Sequence, residues 1–210
     1  ADADDDRVVG VEEIAVLEND YPQADLMFGG GVESLNAYSD YFAELPANIC
    51  GELDTHASIS NKWLPFSLLP IVLIYNRKLV TQPPDGWADL LDSQWRGSIA
   101  YAKPDVSGSS YTALITLLLA VSGEDEDILR SFYQNLGGKL LDSSGDVVGA
   151  VSDGDCAIGI TLEETALKGI AAGEEIGIVY PAEGTSNVPD GIAVIKNCAH
   201  LENALAFIRF

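Results

Sequence analysis

The residues of this chain best suited to chemistry are small and polar, and they recur in one arrangement. Ser107-Gly108-Ser109-Ser110 joins a short strand, Ser98 to Ala102, to an apolar helix running through Ala120. A strand-to-helix junction of this kind leaves the first N–H groups of the helix unpaired, with the positive end of the helix dipole behind them. Small side chains let an anion reach those N–H groups, and the hydroxyls add donors suited to phosphate, carboxylate or sulfate oxygens. The plainer alternative is that Ser107 or Ser109 is an N-cap and the rest is a turn. The same arrangement returns elsewhere. Gly29-Gly30-Gly31 follows the apolar run Leu26 to Phe28, Asp142-Ser143-Ser144-Gly145 precedes the helical pattern from Asp146, and Thr161 stands between the run Cys156 to Ile160 and a helix opened by Glu163 and Glu164. Four such loops, near Gly29, Ser107, Ser144 and Thr161, point to one shared cleft more than to four unrelated turns.

Other chemistries have little material. The histidines, His56 and His200, lie far apart in sequence, and the cysteines, Cys50, Cys156 and Cys198, show neither a CxxC nor a zinc spacing. Neither a catalytic triad nor a resident metal or cofactor is therefore expected. Cys156 reads as a small core residue, and Cys50 and Cys198 could pair in an oxidising compartment. The glycine loop does not match GxGxxG, which argues against a dinucleotide site.

The charge sets the partners. Acids number 33 and bases 11, for a net charge of −22 over 210 residues. Nucleic acid needs a basic footprint that such a chain lacks, and anionic membrane surfaces are disfavoured for the same reason. An anionic solute is repelled at long range too, but salt screens distant charges within about 10 Å, so helix ends can prevail close in. Hydrophobic residues make up 47% and charged residues 21%, which suits a globular chain with a real core. The longest apolar runs, about Ile71 to Tyr75 and Ala113 to Val121, are too short to span a bilayer.

The elements that must position these loops alternate between strand and helix. Strands are expected at Leu26–Phe28, within Phe66–Tyr75, and at Ser98–Ala102, Cys156–Ile160, Ile176–Tyr180 and Gly191–Ile195. Helices are expected at Val11–Asn19, Val32–Phe42, Trp87–Trp95, Ser107–Ala120, about Gly123–Leu136, Asp146–Ser152, Leu162–Ala172 and Leu201–Phe210. Near-continuous apolar strands between helices predict an α/β protein with mostly parallel sheets. In such sheets ligands bind beyond the carboxyl ends of the strands, where the four loops fall.

The ordered stretches Ala24–Gly31, Trp87–Leu91, Trp95–Ala100, Ser107–Tyr111 and Glu183–Gly191 resemble the solute-binding proteins of bacterial ABC importers, in the ferric-binding-protein-like branch of the type 2 periplasmic binding fold. The resemblance runs from about Pro22 onward. It implies two α/β lobes with the ligand in the cleft between them: lobe one over 1–80, lobe two over 81–188, and a return to lobe one over 189–210. Hinge segments would fall near Ile74–Lys78 and Pro189–Ala193. The family begins with a further strand and helix and ends with several more helices, so the first lobe is expected to be incomplete. The resemblance also implies a monomer outside the cytoplasm, periplasmic or anchored to a membrane through a preceding segment, that hands its solute to a permease.

Iron binders of the group carry adjacent tyrosines in the loop matching Gly159 to Glu164, which here reads Ile160-Thr161-Leu162-Glu163-Glu164. Relatives with serine-rich loops resemble binders of sugar phosphates, phosphoglycerate or phosphonates. On that resemblance Ser107, Gly108, Ser109 and Ser110 grip the phosphate, with Gly30 and Gly31 from the facing lobe. Ser144, Thr161, Thr185 and Ser186 line the site, and Glu163 or Glu183 accepts hydrogen bonds from sugar hydroxyls or an amine. Two alternatives stand beside this one. The glutamates could hold ferric iron, and an enzyme acting on a phosphorylated small molecule could use the same scaffold.

Overall fold

The computed structural model describes residues 24–29, 32–50 and 61–210. The expected helix Val11–Asn19 and the glycines Gly30 and Gly31 lie outside them. The described chain divides into two compact units, a central one over Leu69–Val188 and a flanking one formed by residues up to Leu68 together with Pro189–Phe210. The resemblance implies a first change of lobe at residue 80; the compact units themselves divide after Leu68.

The central unit is built on the carboxyl half of β2 (Trp63–Asn76), with β3 (Ile99–Ala102), β4 (Leu140–Leu141), β5 (Ile158–Leu162) and β6 (Ile176–Val179). Their order is β6–β2–β5–β3–β4. β3 pairs in parallel with β4 and β5, while β2 runs antiparallel to β5 and β6, with Leu73 opposite Ile160 and Val179. The antiparallel pairings thus belong to the strand that carries the chain from one unit into the other. Every residue of β3 and β5 is buried, as strands covered on both faces require.

Alternation along β2 sorts the cover. Ile71 and Leu73 pack with Ala113 and Leu117 of α3 (Gly108–Ala120) and Phe132 of α4 (Asp125–Leu136). Val72 and Ile74 face the other way, toward Val147 and Val151 of α5 (Asp146–Ser152) and Ala166 of α6 (Glu163–Ala172). α5 lies so close to β5 that a Cβ on Gly159 would come within 2.6 Å of Val147 Cγ1, so glycine is required there.

In the flanking unit β1 (Leu26–Phe28) pairs antiparallel with β7 (Asn187–Val194). Leu26, Leu64, Ile192 and Val194 pack against Ala204 of α7 (Leu201–Arg209). On the opposite face Met27, Trp63 and Ala193 pack with Leu35 of α1 (Val32–Ala37). A short helix, α2, spans Ala47–Cys50.

Three sequence expectations are corrected. The helix expected over Val32–Phe42 ends at Ala37, because Phe42 bridges to Ile195 and the intervening residues turn. The helix expected over Trp87–Trp95 is two 3-10 turns, Ala88–Leu91 and Ser93–Trp95. Asn135 breaks it: its amide donates to the carbonyls of Leu90 and Asp92, at 2.9 and 2.8 Å, while Asp92 caps the second turn through Gln94 N. The apolar run within Phe66–Tyr75 belongs to one strand that begins at Trp63 and passes through Pro65 and Pro70. Pairing resumes directly after Pro70, where Ile71 N donates to Ser186 O. No helix among the described residues is long and apolar enough to cross a membrane.

Candidate functional site

The junction between β3 and α3 keeps its backbone donors open. Ser107 is the N-cap, in extended conformation, and its Oγ accepts from Ser110 N at 3.3 Å. Ser107 is 2% exposed, and its hydroxyl hydrogen has one acceptor in reach, Ser109 Oγ at 3.1 Å. Either hydroxyl can donate in that bond; because a buried donor left unmatched is costly, the arrangement in which Ser107 donates is favoured. In that arrangement the Ser109 hydroxyl hydrogen is left for an outside acceptor. The amides of Gly108 and Ser109 stand in the first turn, where no carbonyl of the helix can reach them. A Cβ on Gly108 would meet nothing within 4 Å, so the approach to these amides is clear.

Ser110 is 4% exposed. Its amide serves Ser107 and its carbonyl accepts from the Tyr101 hydroxyl, but its own hydroxyl has no hydrogen bond among the described residues. Ser109 and Ser110, with Ile71, Ala113, Ile160 and Thr161, border a narrow gap that has no room for a water molecule. Tyr101 was legible in the sequence only as a strand residue. It fixes the first turn of α3 from below, edge-on to Phe132 at 5.3 Å between ring centres, and burial pushes its phenol well above the usual range.

The other expected site residues are placed less uniformly. Thr161 is opposite Val72, so strand alternation turns its side chain to the face of α5 and α6, where its buried Oγ1 has no partner among the described residues. Ser144 is buried in the turn that enters α5, and its carbonyl accepts from Val147 N at 3.3 Å. Glu163 opens α6 and accepts from the Tyr180 hydroxyl, which raises the phenol; Glu164 pairs with Lys168 at 2.9 Å.

Glu183, Thr185 and Ser186 are engaged in holding their loop. The Glu183 carboxylate accepts from Trp87 N at 3.1 Å and Ala88 N at 3.0 Å, capping the first 3-10 turn, while Trp87 Nε1 donates to Gly184 O. Burial works to raise the Glu183 carboxyl, but the N–H groups of Ala88, Glu183 itself and Trp87 outweigh it and hold it below its usual value. Thr185 Oγ1 donates to Ile71 O and Thr116 Oγ1 bonds Ser186 Oγ, both at 2.7 Å, so this loop is strapped to β2 and α3. Beside the junction Lys103 is bonded to Asp142, which lowers the carboxyl and raises the amine. Cys198 carries a free thiol, and the side chain of Cys50, its expected partner, lies outside the described residues. Among the described residues, no three His, Cys, Asp or Glu side chains gather as metal ligands would.

Residues 24–210 match the family described as bacterial extracellular solute-binding protein. Among solved structures the chain is similar to the periplasmic binding protein AfuA from Actinobacillus pleuropneumoniae with fructose-6-phosphate bound: 23% identity, TM-score 0.75, covering 90% of this chain and 63% of that one. It is equally similar to iron-bound HitA from Pseudomonas aeruginosa: 22% identity, TM-score 0.75, covering 90% and 64%. An uncharacterized protein of Haemophilus influenzae is 30% identical over 133 residues, which are 61% of this chain and 37% of that protein. The chain thus spans just under two thirds of these solved structures and little more than a third of the curated relative.

Proposed function

Because this chain belongs to the bacterial extracellular solute-binding protein family, we propose that it serves an ABC importer outside the cytoplasm, capturing a small phosphorylated solute for a membrane permease. The observation that carries the anionic solute is the open first turn of α3. There two amides without acceptors in the helix meet the hydroxyl of Ser110, which has no hydrogen bond among the described residues, and that of Ser109, which is bonded to Ser107 Oγ. Oxyanion oxygens supply the missing acceptors, and the dipole of a 13-residue helix favours their charge. The ferric alternative needs hard oxygen ligands, and the glutamates that would provide them already serve Tyr180, Lys168 and the Trp87–Ala88 amides.

A thermal-shift screen with sugar phosphates, phosphoglycerates, phosphonates and ferric iron tests the reading. A bound solute at a hundredfold excess over its dissociation constant adds about 3 kcal/mol of stability. One organophosphate is expected to stabilise the protein and to be recovered unchanged. A shift with ferric iron alone, or turnover of the ester, would overturn the proposal.

A further inference from the structure

We draw no further inference here: the strongest candidate, the exposed aromatic patch of the flanking unit where Phe28 of β1 meets Phe66 of β2 and Phe207 of α7, is an unpartnered apolar face, and nothing in the structure shows what covers it.

Discussion

At the scale of single residues, polar side chains near the carboxyl edge of the central sheet divide into those with partners and those without, and that division separates scaffold from site. Glu183 is scaffold. A Cβ on Gly86 would fall 1.8 Å from Glu183 Oε2, so Gly86→Ala is expected to dislodge the carboxylate from Trp87 N and Ala88 N. Urea denaturation should report a loss of about 1–3 kcal/mol, the cost of leaving such donors unmatched. Since the folded Glu183 carboxyl lies below its ordinary value of 4.5, its contribution is present above that value and is lost as pH falls through the folded one. Glu183→Gln should therefore flatten the acid limb of the stability profile; an unchanged limb would deny it the capping role. The Ser110 hydroxyl belongs to the second class, while Ser109 is bonded only to its neighbour Ser107, and both were legible because small residues before an apolar helix stand out without tertiary contacts. The partners of Glu183, Thr185 and Ser186 were not legible, since the Glu183–Trp87 bond joins residues 96 apart and Ser186–Thr116 residues 70 apart.

Among the elements, β2 is organised by what its end holds. Asn76 is 3% exposed; its amide donates to Val151 O and Ser152 O, while its carbonyl oxygen accepts from Lys78 N and Leu79 N. It ties the last residue of the strand to the end of α5. Asn76→Ala should destabilise the protein by about 2–3 kcal/mol in denaturant titration, because carbonyl and amide partners are orphaned together. A change within about 0.5 kcal/mol, as at an ordinary surface position, would show that water replaces the side chain. The strands themselves could be read from their β-branched runs: β3, β5 and β6 come close to the expected ranges. The Trp87–Trp95 segment misled because its breaker, Asn135, lies on another helix. Pro70 lies within the strand, and the neighbouring Ile71 amide continues the pairing.

For the molecule as a whole, a net charge of −22 and an anion-ready helix end oppose each other, and range decides between them. Distant acids act through a screened field, whereas the amides of Gly108 and Ser109 act at hydrogen-bond distance. Three nearby acids are also occupied: Asp142 by Lys103, Glu163 by Tyr180 and Glu164 by Lys168. The alternation of strands and helices revealed the α/β class, and the family resemblance supplied the two-lobed expectation that periodicity alone does not contain. The most direct test of the account is a 15N–1H correlation spectrum recorded while a phosphate monoester is added at about pH 8, where the dianion prevails. The account predicts that the amides of Gly108 and Ser109 shift farthest, downfield, as each gains a charged acceptor. Saturable shifts centred elsewhere, with those two amides unmoved, would contradict it.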